Sequence, residues 1–99
     1  MMQGHGLTIA ILDHQWRPRH ARPMDEGWRG LIDCALADEA RWLALIQRRR
    51  ADCPALPRSA DISLTRALAR HLRALDLRLA DHVIHAGPAR FSFRTAGLL

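Results

Sequence analysis

PRSADISLTRALARHLRALDLRLADHVIHAGPARFSFRTAGLL, residues 57–99, has the pattern that decides the fold. Ser59 is a favoured residue type at a helix N-cap, and the sequence after it predicts a helix over about residues 60–76. Arginines lie on the other side of this helix from its leucines, so one face is apolar and the other solvated. The apolar stripe has spacings of four, four and three residues and consists of Leu64, Leu68, Leu72 and Leu75.

Two strands are predicted after that helix. LRLADHVIHA, residues 77–86, is rich in apolar and β-branched residues, as strands are. Gly87-Pro88 is typical of a turn, and ARFSFR, residues 89–94, predicts a short return strand. These two strands are therefore expected to form a hairpin.

The residues before this stretch predict two more strands and one more helix. LTIAIL, residues 7–12, and RWLALIQ, residues 41–47, are short apolar runs typical of buried strands. Apolar residues at helical spacing predict a helix over about residues 26–39. Proline and polar residues predict loops over residues 13–25 and 48–58.

The predicted order β-α-β-α-β-β indicates an α/β (α+β) fold, in which helices flank a small mixed sheet. A length of 99 residues and a hydrophobic fraction of 48% fit a single domain over residues 1–99. No basic segment precedes the first apolar run, and no window approaches ~20 apolar residues, so we expect no signal peptide and no membrane association. Cys34 and Cys53 form no zinc-binding spacing and are expected to be reduced thiols of a cytoplasmic protein.

The basic residues are uniform in type. All 15 are arginine, and the formal net charge is +5. Arginine binds phosphate through a planar fork, which favours a nucleic-acid partner. A GC-rich genome explains the same composition, so both interpretations stay open. The sequence shows neither a helix-turn-helix signature nor stacked aromatic residues, so such binding is expected to be weak and independent of base sequence. The arginines expected to contact phosphate are Arg17, Arg19, Arg22 and Arg48 to Arg50.

From residue 57 onward the chain resembles the RadC-type JAB (MPN, JAMM-like) family. In outline that family reads HNHPSGDPxPSxxDxxLT, then DHxI, a YSF-like strand and a GLL ending. The similarity is ungapped over more than forty residues and is looser before them. The matching positions are Pro57, Asp61, Leu64, Thr65, Leu68, Leu72, Asp81, His82, Ile84, Phe91, Ser92, Phe93, Gly97, Leu98 and Leu99.

The resemblance implies a cytidine-deaminase-like JAB/MPN fold with a zinc peptidase site. In such a site the two His of an H-x-H motif and an Asp bind zinc, a Glu is the general base and a Ser stabilises the oxyanion. Residues i and i+2 of an extended chain point the same way, so two imidazoles can share one ion. Carried over residue by residue, the His positions hold Arg48 and Arg50, the Asp position Asp61, the base position His5, and the Ser position Arg58, followed by Ser59.

Only the Asp ligand type remains, so we expect a metal-free pseudoenzyme without a cofactor. Such a scaffold would bind a protein partner or a phosphate-containing ligand, and the family's DNA-repair label implies a link to that process. Arg48, Arg50 and Arg58 are the predicted anion-binding residues, and Arg48 or Arg50 is the predicted ion-pair partner of Asp61. An active zinc hydrolase is the alternative if the H-x-H segment aligns differently, and a weak nucleic-acid-binding protein is the second alternative.

A few other side chains are chemically reactive. His82 and His85 are expected on opposite sides of a strand, so they do not converge on a metal. His82 is interpreted as a structural residue that is hydrogen-bonded to a neighbouring backbone group or carboxylate. Cys53 lies near two arginines, which favour a nucleophilic thiol, but no base is evident beside it. Asp61 also has a structural interpretation, because a carboxylate in the first helical turn stabilises the helix dipole by about 0.5 kcal/mol.

Overall fold

The computed structural model describes residues 6–24 and 28–99. Helix α1 (Trp28–Ala37) and helix α2 (Ser59–Ala74) accompany the strands β1 (Gly6–Leu12), β2 (Pro18–Pro23), β3 (Trp42–Arg49), β4 (Arg78–Ala86) and β5 (Ala89–Ser92). The strands form one five-stranded sheet in the order β2-β1-β3-β4-β5.

The sheet is mixed. β1 pairs antiparallel with both β2 and β3, and β4 pairs antiparallel with β5. β3 and β4 are parallel neighbours, and because a tight turn cannot join parallel strands, α2 forms the crossover between them. This crossover brings the first turn of α2 next to the C-terminal end of β3, where the ligand sites of open sheets commonly form.

Both helices pack on the same face of the sheet. The main core joins alternate residues of β1 and β3 to the buried residues of α1 and α2. Ala10 and Leu12, which alternate with the core residues of β1, are also buried but do not belong to this core. The buried members of the main core are Ile9, Ile11, Leu31, Ile32, Ala35, Leu43, Leu45, Leu68, Leu72, Leu77 and Leu79.

A smaller core supports the β4–β5 hairpin. It consists of Ala55, Ile84, Ala86 and Phe93, none of which is more than 9% exposed. Ala55 belongs to the segment between β3 and α2, so this core holds that segment against the hairpin. Among residues 6–24 and 28–99, no helix is long and apolar enough to cross a membrane.

The opposite face of the sheet, called the open face below, carries the side chains that alternate with those of the core. Every described buried side chain of α1 and α2 faces the other way, so neither helix covers the open face within the described residues. Pairing across β1, β3 and β4 places Thr8, Ala10, Ala44, Ile46 and Val83 on it.

The predicted α+β fold class is confirmed, but the predicted element order lacks one strand. A loop over residues 13–25 is wrong at Pro18–Pro23, which forms β2. All six residues of β2 are exposed, so the strand has no apolar alternation, and an edge strand tolerates its prolines. The predicted loop over residues 48–58 is also too long, because β3 continues to Arg49.

Gly87, in the turn between β4 and β5, yields a stability prediction. Its φ is +58°, and an added Cβ would lie 2.8 Å from the Cβ of Ala51. We expect Gly87→Ala to lower the free energy of unfolding by about 1–3 kcal/mol. Gly30→Ala is the control, because Gly30 lies within α1 with nothing within 4 Å and should gain about 0.5–1 kcal/mol. Urea unfolding measures both; effects of the same sign would contradict this account.

Candidate functional site

A polar cluster lies under the first turn of α2 and begins with two residues of β3. Leu43 and Leu45 point into the main core, and strand alternation turns Gln47 and Arg49 to the same face. Arg49 is the last residue of β3, and its side chain is only 8% exposed. The strand therefore places the amide of Gln47 and the guanidinium of Arg49 beside the start of α2.

Arg49 has acceptors for its guanidinium in the following segment and in α2. Its Nη1 donates to the carbonyl oxygens of Pro54, at 3.0 Å, and Leu56, at 2.7 Å. Its Nη2 donates to Oδ2 of Asp61, whose side chain is 11% exposed. This is a buried ion pair with additional hydrogen bonds, the condition under which such a pair compensates for its loss of water.

Asp61 completes the helix start as well as the ion pair. Its Oδ2 also accepts the backbone N–H of Arg58 at 2.7 Å, and its Oδ1 accepts Nε2 of Gln47 at 3.1 Å. Burial alone would raise the pKa of Asp61, but the Arg58 N–H, the Gln47 amide and the Arg49 guanidinium outweigh it and lower the pKa below its usual value. Asp61 is therefore a carboxylate at neutral pH.

His82 extends the cluster on β4. It is completely buried, its Nε2 lies 2.9 Å from Oε1 of Gln47, and its Nδ1 is hydrogen-bonded to the hydroxyl of Thr65. Because Gln47 uses its amide N–H on Asp61, its Oε1 faces His82, so His82 carries its proton on Nε2 and accepts the Thr65 O–H at Nδ1. The hydrogen bonds thus run in one direction, from Thr65 through His82 and Gln47 to Asp61.

The imidazole of His82 is neutral in this environment. Burial lowers its pKa to about 4, the carboxylates of Asp61 and Asp81 act in the opposite direction, and Arg49 adds to the lowering. The ring also stacks on Phe93 with centroids 4.2 Å apart and planes 10° apart. His82 is hydrogen-bonded, as predicted, but its ring partners are the Thr65 hydroxyl and the Gln47 amide rather than a backbone group or a carboxylate.

Thr65 and His82 have the geometry of a nucleophile and its base, but they are not accessible. Thr65 is 2% exposed and His82 is 0% exposed. A substrate cannot reach a hydroxyl that lies beneath the helix carrying it. The pair therefore anchors α2 to β4.

A zinc ion does not fit the cluster. Gln47 and Arg49 have the i, i+2 spacing at which imidazoles can share an ion, but a guanidinium has no lone pair to offer. Both oxygens of Asp61 already accept hydrogen bonds. Among the residues that the structure describes, no three His, Cys, Asp or Glu side chains lie close enough together to hold a metal ion.

The predicted pairing of Asp61 with Arg48 or Arg50 is wrong. Arg49 is the partner, because β3 continues to that residue and its alternation turns Arg48 to the open face. Arg50 lies beyond the strand and pairs with Asp52 at 2.8 Å, with both side chains mostly exposed. The structure therefore does not bring Arg48 and Arg50 together at Asp61.

The other predicted site residues contribute differently. Arg58 is the N-cap of α2, and its role in the cluster comes from its backbone N–H. The expectation of Ser59 as N-cap is wrong, since Ser59 is the first helical residue and is exposed. Asp61, the third residue of the helix, accepts the backbone N–H of Arg58, which is the bond that the third residue contributes in a capping box. His5, at the expected base position, lies outside the described residues.

Comparison with known proteins assigns the chain to a family. The family model for the RadC-like JAB domain matches residues 20–98. The chain belongs to the RadC-like JAB domain family. A UPF0758 protein of Thiobacillus denitrificans is 51% identical over 43 residues, which are 43% of this chain and 19% of that protein. The aligned part thus spans about a fifth of the relative's length.

A double-mutant cycle tests the buried ion pair of this RadC-like domain. Asp61→Asn and Arg49→Gln should each cost roughly 3 kcal/mol, because each leaves the other charge buried without a partner. The coupling free energy from denaturant unfolding should exceed about 1 kcal/mol. Arg48→Gln is the control, since Arg48 is the adjacent exposed arginine, and its coupling to Asp61→Asn should stay under about 0.3 kcal/mol. Equal couplings for the two arginines would contradict the assignment.

His82 predicts how stability depends on pH. Its pKa is about 4 when folded, against an ordinary value of 6.5, so below pH 6.5 the unfolded chain binds a proton that the folded chain does not. This contribution is complete above pH 6.5 and decreases as the pH falls, by about 2 kcal/mol between pH 6.5 and pH 5. Urea unfolding at these two pH values measures it. His82→Gln should remove this component and His85→Gln should retain it; a wild-type stability unchanged by pH would refute the prediction.

Proposed function

We propose that this RadC-like JAB domain is a metal-free, catalytically inactive member of its family that acts by binding. The observation that carries the proposal is the buried Arg49–Asp61 ion pair. Arg49 lies two residues after Gln47 on β3. Its guanidinium faces the carboxylate of Asp61, which the family resemblance implies as a zinc ligand. The position of a metal ligand is thus occupied by a permanent positive charge.

Electrostatics supports this proposal. A guanidinium about 4 Å from a divalent cation is repelled by roughly 8 kcal/mol at an effective dielectric constant near 20. Asp61 has its full set of donors without a metal, because Gln47, Arg49 and the Arg58 N–H all donate to it. Metal binding would have to break these bonds and expose the Arg49 charge, so the network favours the metal-free state.

The alternative of an active zinc hydrolase has less support in the same geometry. His82 could offer a nitrogen only by giving up Thr65 or Gln47, and it is completely buried. The proposed role is therefore binding, to a protein partner or to a phosphate-containing ligand, and a link to DNA repair belongs to this proposal. Two free cysteines support the proposed reducing, cytoplasmic setting.

Metal content separates the two functions. We expect the purified wild-type protein to contain substoichiometric zinc by elemental analysis. The double variant Gln47→His with Arg49→His should bind zinc, because it places two imidazoles at i and i+2 opposite Asp61 and removes the positive charge. A competition titration with a chromogenic chelator measures the affinity.

The matched control is the double variant Arg48→His with Arg50→His, which follows the alignment to the family motif. It adds the same two side chains, but residue 48 points to the open face and residue 50 lies beyond β3. It should bind zinc no better than wild type. Stoichiometric zinc in the wild type, together with a hydrolytic activity that a chelator abolishes, would overturn the proposed function.

A further inference from the structure

A row of basic side chains crosses one end of the open face. Arg48 of β3 pairs in register with His85 of β4, and His85 pairs with Arg90 of β5. Residues in register on neighbouring strands point to the same side, so the row spans about 10 Å at a strand spacing of about 4.8 Å. Arg48 and Arg90 are exposed, His85 is half-buried, and none of them has an ion-pair partner among the described residues.

An aromatic pair lies at the other end of the same face. Trp42 precedes Ala44 by two residues on β3, which places it on the open face about 20 Å along the strand from Arg48. The ring of Trp16 packs on Trp42 with centroids 5.1 Å apart, remains 42% exposed, and lies 5.3 Å from the guanidinium of Arg94. The pair thus presents an accessible indole beside a positive charge.

The turn that carries Trp16 holds an unfavourable backbone conformation. Trp16 has φ +64°, a value uncommon for a residue with a large side chain. Asp13 fixes the turn, because its Oδ1 accepts the N–H of Gln15 at 2.8 Å and of Arg17 at 2.9 Å. Glycine or asparagine adopts this conformation more readily, so placing the Trp16 indole here costs backbone free energy.

The side chains between the two ends are apolar apart from Asp81. Ala44, Ile46 and Val83 are half-buried there, and Ala10 beside them is buried. Asp81 also lies there, but its Oδ2 accepts Ser92 Oγ at 2.6 Å, and its Oδ1 accepts the N–H groups of His82 at 2.7 Å and Arg94 at 3.0 Å. These donors fix the Asp81 carboxylate in place, and it lies four residues, or about 13 Å, along β4 from His85 in the basic row.

We propose that the open face binds single-stranded nucleic acid. The phosphates contact Arg48, His85 and Arg90, and a base stacks on Trp16. A basic track combined with an exposed aromatic ring is the arrangement by which proteins hold single strands, because phosphates supply attraction and every base has a face that can stack. A duplex keeps its bases stacked inside and would leave Trp16 without a contact.

Charge complementarity favours a polyanion over an apolar partner. The chain carries a formal net charge of +5, and the row of Arg48, His85 and Arg90 concentrates basic groups without neutralisation. An acidic protein would complement the positive charge of the row, but it would offer no planar ring to stack on the exposed indole of Trp16 at the other end. This inference concerns a different face from the Arg49–Asp61 cluster and is independent of the metal content of that cluster.

Fluorescence anisotropy with a labelled oligothymidylate of about twelve nucleotides tests the proposal on the full chain, between about 50 and about 200 mM salt. Counterion release at Arg48 and Arg90 predicts a slope of log affinity against log salt of about −1.4. The double variant Arg48→Gln with Arg90→Gln should bind about 10-fold more weakly, with a slope shallower by about 1.4. Trp16→Asn should bind about 5-fold more weakly with an unchanged slope, and Asn tolerates the positive φ of the turn.

The matched control is Arg66→Gln with Arg73→Gln, two exposed arginines of α2 whose loss changes the net charge equally. It should bind within about 2-fold of wild type, and circular dichroism checks that all variants keep the wild-type fold. Three results would overturn the proposal: no binding at about 50 mM salt, equal losses in the two double variants, or competition by polyglutamate at the same concentration as unlabelled oligothymidylate. The last result would assign the face to acidic proteins.

Discussion

The ion pair between Arg49 and Asp61 is the contact on which the geometry of the candidate site depends. Both side chains are almost withdrawn from water, so removing either leaves a buried charge without compensation. Arg49 also holds two carbonyl groups of the following segment, and Asp61 closes the first turn of α2. A strand end, a connecting segment and a helix start are therefore positioned by one pair of side chains. The directions of the hydrogen bonds from Gln47, His82 and Thr65 follow from the charge state of that carboxylate.

Much of the fold could be predicted from local pattern because its elements have strong periodicity. The leucine stripe of α2 and the apolar runs of β1, β3 and β4 match the observed elements to within a few residues at their ends. β2 could not be predicted, since Pro18–Pro23 has no apolar face and owes its strand conformation to pairing with β1. Non-local pairing of this kind leaves no trace in the periodicity of the segment itself.

The site was harder to predict because it depends on which alternate residues of β3 point toward α2. Alignment to the family motif places Arg48 and Arg50 at the ligand positions, whereas the structure turns Gln47 and Arg49 inward. Arg49 and Asp61 are twelve residues apart, one more than the motif spacing. The signal was present in RWLALIQ, where Leu43 and Leu45 are the core residues and Gln47 and Arg49 continue their phase. Thr65 and His82 gave no such signal, since their contact joins a helix to a strand 17 residues away.

The alternation of side chains along β3 also gives its two neighbouring arginines different roles. Arg49 points under α2, where Asp61 neutralises its charge and burial keeps its guanidinium out of contact with solvent. Arg48, one residue earlier, points to the open face, where its charge lies beside His85 and acts on whatever approaches from solvent. A one-residue slip of β3 would exchange these roles, burying Arg48 and exposing Arg49, and would break the bonds of Gln47 as well. The polar cluster beneath α2 therefore fixes which arginine is presented on the open face, although the two sites share no side chain.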